Sequence, residues 1–568
     1  EKTMKNVDFR AMFRRARPHG EGEARALSGM KGHLCALLIT LVIFAVHFYV
    51  SLFAIHPQDS KSAFLLLGYV VLFTLLDWLF VRQLTRLHKI LGTIAAAGFV
   101  AVFVLQLWSA PLFQASAYHD QLEITQTDQF SENFAEVDMS SVPVIDYDVA
   151  RQLGDKKMGE VTALGSQYEV SDDYTLCSVN GTLYRVSPLE YRDVIKWIQN
   201  RGEGVPGYIR VNVSDPSDVE LVMLDEGMRY VESACLNDDL QRHVRLRYPT
   251  EMMTDYSFEI DDAGNPYYVV STYRPEVGVY GGNDATGIIL VDPISGACTK
   301  YDEDEVPQWV DRIQPSQFAL EQLDNWGRYV NGFFNTLFGQ RDMLTNTEGH
   351  NYISIDGEMY VYTGVTSIGA DHSIVGFALI NLKDEKATFY KVNGADEASA
   401  MSSAEGEVQE KGYEATFPIL LNVGGHPTYF VSLKDQEGLV KQYAFVSLEN
   451  YSLVGIGDTV SDAQRSYLLR LNENGETQGD SEEIMQEASG ALSAIESAVS
   501  EGTTHYYFTI KGSEQLFIAP LSLSSELVMS EVGDTVHVRF VDTGDPTVIV
   551  DDFDNETMHY DDPAQQEE

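Results

Sequence analysis

The chain has 568 residues, 44% of them hydrophobic, and sets 39 Lys and Arg against 85 Asp and Glu for a formal charge of −46. Such a length allows about four domains, and such a charge repels phosphate backbones, so a nucleic-acid partner is not expected. The charge is also unevenly placed: residues 1–113 hold 12 basic and 6 acidic side chains, leaving 27 and 79 of the totals beyond them.

The chain opens on Glu1 rather than Met, which points to a start further upstream. Residues 1–32 form a basic tail, with Lys2, Lys5, Arg10, Arg14, Arg15, Arg17, Arg25 and Lys31. Within residues 33–113 lie three apolar stretches, 34–55, 63–81 and 90–113. Each approaches or exceeds the roughly 20 residues a membrane-spanning helix needs. The loop "HPQDSK" after the first is nearly neutral, and the next carries Arg82, Arg86 and Lys89. Positive charge marks the cytoplasmic side, so the tail is expected inside and everything after residue 113 outside the plasma membrane. A cleaved signal peptide fits poorly with three spans and a long tail, although "ASA" (115–117) offers a late cleavage site. Of the polar groups in the spans, Asp77 is placed to reach interfacial water beside Arg82 and His47 to hydrogen-bond within the bundle, with Gln106 at a span end. That is too little polarity for a transport path. Gly92 with Ala96 reads as a packing face. The spans are an anchor, and the lipid bilayer is the first partner.

Cys35 lies in the first span, with Cys177, Cys235 and Cys298 beyond the spans. No C-x-x-C spacing occurs, so zinc and thioredoxin-type sites lack support. One external disulfide is possible, with a thiol left over.

Residues 114–165 read as a stalk with a short helix at "DYDVARQLG". Residues 166–250 read as a first α+β module: a hairpin about the Asn-Gly of "YTLCSVNGTLYRVS", an amphipathic helix over "PLEYRDVIKWIQNRG", then two strands about Asp-Pro-Ser-Asp. Residues 251–475 repeat a unit. Gly287, Leu290, Val291, Asp292, Thr299 and Tyr301 match Gly376, Leu379, Ile380, Asn381, Thr388 and Tyr390, and a looser copy runs over 427–458. A Tyr- and Val-rich strand precedes the first two copies, "PYYVVS" and "MYVYTG", and a helix candidate follows every one: "EDEVPQWVDRI", "ADEASAMSSAEG" and "VSDAQRSYLLRL". The shared positions fall where strands and turns need them, so the repetition builds core rather than chemistry. The spacings, about 89 and 66 residues, are too irregular for a propeller or solenoid. Between the copies, Ala319, Leu323, Trp326, Val330, Phe333, Phe334 and Leu337 make one long apolar helical stripe, core-facing in the first instance and partner- or membrane-facing in the second. Residues 480–555 read as an OB-like five-stranded barrel with "GALSAIESAV" as its first strand, and 556–568 as an acidic tail.

No G-x-S-x-G, HExxH, P-loop, EF-hand or Rossmann pattern occurs. His350, His372 and His426 sit beside glycine or polar turn residues without a nucleophile at a telling spacing. No catalytic or cofactor-binding residue is therefore assigned. The acidic runs 302–305 and 551–554 offer carboxylates to calcium, yet neither has the alternating oxygens of a dedicated loop. A solvated helix start and an acidic tail are the preferred readings, and no cofactor is expected.

The stretches "GVPGYI", "DDAGNPYYVV", "ILVDPISG", "VPQWVDRI", "MSSAEGEVQ", "PTYFVSLKD" and "GLVKQYAFV" resemble an uncharacterised membrane-anchored family of Gram-positive bacteria. The resemblance runs from about residue 130 to 555, includes the multi-span start, and implies location and architecture rather than activity. Each strand-turn-strand-helix copy is also similar to PepSY domains, small α+β units of envelope proteins thought to modulate peptidases or bind peptides, with "VDPISG" the nearest match. The expected fold class is α+β: a three-helix transmembrane anchor, duplicated PepSY-like domains and a C-terminal OB-like barrel. The expected function is non-enzymatic, an extracytoplasmic protein that binds or regulates an envelope protein or peptide. A cell-envelope hydrolase or peptidase and a scaffold of a membrane complex are the alternatives.

Overall fold

The structure, a computed structural model, describes residues 29–130, 134, 142–355, 357–369, 373–474, 485–500, 503–543 and 546–558. The tail before Gly29 and the acidic tail after Met558 lie outside the described residues. The chain forms two units, one ending at Val104 and one beginning at Leu105.

The first unit is built on three helices, α1 (Gly29–Ser51), α2 (Ser60–Val81) and α3 (Arg86–Trp108), all long and apolar enough to cross a bilayer. The Asp59 carboxylate caps α2 by accepting from the Lys61 amide, which satisfies one of the orphan donors of a helix start. Asp77 does not reach water. It is 1% exposed, 2.6 Å from His33 Nδ1 on α1 and 3.2 Å from His88 Nε2 on α3. A carboxylate turned inward among apolar helices needs protein partners, and the two imidazoles supply them. His47 does bond within the bundle, 2.7 Å from the Tyr69 hydroxyl. Gly92 and Ala96 are not the packing face. Both are exposed, and the close approach is at Gly98, where a Cβ would stand 2.5 Å from Leu67 Cδ2.

The second unit is mostly β. Four sheets follow one another, over Tyr168–Met228, Met253–Asp302, Leu344–Tyr390 and Glu414–Gly457. Each is an antiparallel meander in which later strands lie progressively further from the first. In the first, third and fourth sheets the leading strand is broken into two pieces that share one partner, as Tyr168–Val170 and Thr175–Val179 share Thr182–Tyr191. The leading strands of all four sheets face a common cavity, a blade-like arrangement. The uneven repeat spacing comes from insertions between sheets. The helices Ser316–Arg328 and Phe333–Phe338 separate the second sheet from the third. The long apolar stripe is thus two helices, divided near Gly332, which sits at φ +79°.

The matched residues occupy equivalent places in the second and third sheets. Gly287 and Gly376 open the stretches paired with the outer strands Cys298–Asp302 and Ala387–Tyr390. A Cβ on Gly287 would meet the Tyr301 carbonyl at 2.1 Å, and one on Gly376 the Tyr390 carbonyl at 2.3 Å. Asp292 and Asn381 then close the hairpins in the same way. Asp292 Oδ1 accepts from the amides of Ile294 and Ser295, and Asn381 Oδ1 from those of Lys383 and Asp384. Such side-chain turns are what Asp and Asn are suited to.

The helices following the second and third copies form as Glu397–Glu407 and Val460–Glu473. The first does not: "EDEVPQWVDRI" makes a single 3-10 turn at Glu303–Glu305, turns again so that the Val310 amide donates to the Pro307 carbonyl, and then runs on without helix, burying Val310 and Ile313. The helix expected over "PLEYRDVIKWIQNRG" is shortened to Val194–Asn200 because "PLEY" completes a strand. The Asn-Gly hairpin forms, with Asn180 at φ +51° and Gly181 at +83°, as a two-residue turn of this hand requires. The stretch read as a stalk contributes to the body. Ile124–Thr127 adds a parallel strand to Ala387–Tyr390, and Val142, Val144 and Ile145 are buried. All four cysteines are free.

The C-terminal region closes as a five-stranded barrel. Its long first strand, Met485–Ser500, contains "GALSAIESAV" and pairs through one half with Thr535–Val541 and through the other with Thr503–Ile510. Phe508, Phe517, Phe540 and Phe553 fill its interior.

Candidate functional site

The leading strands of the four sheets enclose a cavity of about 580 Å³. Its size falls within the usual range of small-ligand sites, but its charged lining is unusual for one. Asp173, Tyr174 and Arg185 come from the first sheet, Asp255 and Ser257 from the second, Tyr352 from the third, and Thr416 and Lys434 from the fourth. Arg312 arrives on the segment that replaced the expected helix.

Local structure aims these groups. The strand Met253–Ile260 carries a bulge between Thr254 and Tyr256, with Asp255 at φ +52°. A bulge breaks the inward–outward alternation and redirects one side chain, a device common beside functional sites. A non-glycine residue in the left-handed region is also strained, and such strain collects at functional positions. Arg185 sits mid-strand in Thr182–Tyr191 between Tyr184 and the fully buried Val186. Arg312 lies between Asp311 and the buried Ile313, its guanidinium 5.7 Å from the centre of the Tyr352 ring.

The pairing of charges is incomplete. Lys434 Nζ is 2.7 Å from Asp146 and 3.7 Å from Asp148, so it is satisfied. Among the described residues neither Arg185 nor Arg312 has a hydrogen bond or ion pair, and the Nε of each is fully enclosed. The carboxylates of Asp173 and Asp255 likewise have no bonded partner among the described residues. Burial raises the Asp173 pKa, the neighbouring Asp255 raises it further, and Arg312 opposes both. Burial lowers the Arg185 pKa, and Arg312 adds to the lowering while Asp146 and Tyr352 resist it. Burial also works against the Arg312 charge, but Glu259, Tyr352, Asp255 and Asp311 together outweigh it and raise its pKa. Beneath the floor, Glu259 accepts from the Ser257 hydroxyl at 3.0 Å, and burial pushes it up to about 7 against the pull of Arg312. Asp311 is pushed up to about 6 by burial, against the Ser178 amide 2.6 Å away. Burial holds His350, at the rim, below its usual range and so neutral.

Of the histidines noted in the sequence, His350 lines the cavity, His426 stands 3.8 Å from Glu449, and His372 lies outside the described residues. The acidic runs differ from each other. Burial raises the Glu303 pKa, with the hydrogen bond from Glu385 opposing it and Asp284 adding to it, while burial, Asp284 and Glu303 together push the Glu385 carboxyl up to about 10. In the second run Asp551 pairs with Arg465, and Asp552 with Arg539 at 3.1 Å. Among the described residues no group of three or more His, Cys, Asp or Glu is arranged to hold a metal ion.

Sequence reasoning did not single out Arg185, Arg312, Asp173 or Asp255. Signals existed: an arginine inside the apolar alternation of "LYRVS", and acids inside "MTDYSFEI", a strand otherwise fit for burial.

No family model matches the chain, and no curated protein does. Among solved structures, a GH32 β-fructofuranosidase of Bombyx mori, BmSUC1, in complex with sucrose aligns at 10% identity over 71% of this chain and 69% of that one. With a TM-score of 0.19, that likeness assigns neither fold nor activity.

Proposed function

We propose that this chain is a membrane-anchored, non-enzymatic protein of the bacterial cell envelope, whose extracytoplasmic body captures a ligand in the four-sheet cavity and so binds or regulates an envelope component. The cavity carries this reading. Half-buried guanidinium groups whose Nε atoms are enclosed and unpaired cost stability, which a bound polar ligand would restore. The three apolar helices support the anchor. The basic tail and acidic body support the orientation. Protease added to intact cells is expected to remove the body and leave the anchor. Pull-down of the full chain from membranes, followed by mass spectrometry, is expected to recover a stoichiometric envelope protein or peptide. Survival of the body on intact cells, with loss only after lysis, overturns the orientation and with it the reading.

A second reading, hydrolysis, draws on one observation. Asp173 and Asp255 are neighbouring carboxylates, and the first is held more protonated by the second, the relation that separates acid from base in many hydrolases. Turnover of a wall peptide by the full chain, abolished in Asp255→Asn, would favour it over capture.

A further inference from the structure

We propose that the cavity is a receptor for a zwitterion of amino-acid type, a free amino acid or short peptide. Its carboxylate would lie on Arg185 and Arg312, and its ammonium on Asp255 and Asp173. This rests on reading the cavity as a binding site. The argument is one of complementarity. Two half-buried guanidinium groups and two exposed carboxylates line one chamber, and among the described residues none of them forms an ion pair within 4.0 Å. A simple anion would satisfy the arginines and be repelled by Asp173 and Asp255. A simple cation would meet the reverse. A ligand carrying both charges answers all four groups, and Arg is the side chain best suited to hold a planar carboxylate in two hydrogen bonds. Tyr352, under the Arg312 guanidinium, supplies an aromatic wall. The bulge that turns Asp255 inward fits as the device that places the ammonium partner. A phosphate-rich ligand fits poorly with a body of this net charge.

The test is calorimetric titration of the full chain in nanodiscs with L-alanine, L-glutamate, L-lysine and L-alanyl-L-alanine. Each is matched by its N-acetyl and its amide derivative, and glucose and N-acetylglucosamine serve as neutral probes. At least one zwitterion is expected to bind, with both capped forms at least tenfold weaker. Arg312→Gln is expected to abolish discrimination against the amide, and Asp255→Asn discrimination against the N-acetyl form. The capped ligands test the idea on the unaltered protein, so it remains open to failure even where a variant does not fold. Binding of a neutral sugar without any zwitterion, or equal binding of capped and uncapped forms, overturns the inference and leaves the capture reading standing. Binding of no probe, together with a failed pull-down, removes both.

Discussion

The closed barrel and the four-sheet body are both built mainly of β-strands, yet they treat their interiors in opposite ways. In the barrel, Phe508, Phe517, Phe540 and Phe553 meet ring to ring at 5.4–5.6 Å and belong to a buried apolar core. In the body, apolar side chains from all four sheets form a continuous core, while the leading strands turn charged groups into a chamber of about 580 Å³. A β-sheet core alone does not decide whether a region carries a site. What decides it is which strand positions hold polar residues and whether those residues are paired. The barrel also pairs outward, through Asp551 with Arg465 on the helix of the fourth sheet.

The contrast is most readily broken by paired substitutions. Phe508→Ala or Phe517→Ala in the full chain is expected to cost about 3–5 kcal/mol, since each empties a filled core. Loss of hydrogen-exchange protection over the barrel strands would report it. Arg312→Met, also an inward residue, is expected to change stability by less than about 1 kcal/mol, because it removes an unpaired charge rather than a contact. If the arginine substitution destabilised as much as the phenylalanine ones, the chamber would be a structural core and not a site.

Next in size is a pH effect confined to the body. Glu259, fully buried, is pushed up to about 7 from an ordinary 4.5, and burial also pushes Glu190 up to about 7 and Asp311 up to about 6. A carboxyl raised on folding favours the native state when protonated. Its contribution is complete below the unfolded value and is lost as pH climbs through the folded one. The body should therefore melt progressively lower between about pH 5 and pH 8. Glu259→Gln should remove much of that slope and stabilise the protein at pH 8 by about 3 kcal/mol. An unchanged slope in the variant would place the titrating groups elsewhere. A smaller change is expected for Lys434→Met, which leaves Asp146 without its 2.7 Å partner. It should cost about 2 kcal/mol, with no counterpart in the barrel.

The parts of this architecture legible in the sequence are those written in local rules. Three long apolar runs gave the helices, Asn180–Gly181 gave a hairpin, and the alternation in "GALSAIESAV" outweighed its alanines to give a strand. The chamber was illegible because it is assembled from four sheets far apart in sequence, each contributing a few residues with no spacing of their own. Arg312 was hidden by a stretch whose composition favours a helix. Packing of Val310 and Ile313 against the second sheet keeps that stretch from forming one. Asp77 was misplaced for a related reason. Its nearest cation in sequence is Arg82, but its partners His33 and His88 come from the other helices.

The smallest expected effect separates the rim of the sheets from their inner edge. Asp292 closes its hairpin by accepting from two backbone amides and from the Ser295 hydroxyl. Asn381 makes the equivalent turn and also donates to Glu358 at 2.6 Å. Asp292→Ala should cost about 1 kcal/mol, in the range of other lost side-chain caps, and Asn381→Ala somewhat more because the hydrogen bond of this buried side chain to Glu358 is also lost. Neither residue lines the chamber, so zwitterion affinity should be unchanged in both variants while melting temperature falls. If Asp292→Ala instead weakened binding tenfold without altering the melt, the repeated turns would belong to the site, and the distinction between a structural rim and a chemical centre would fail.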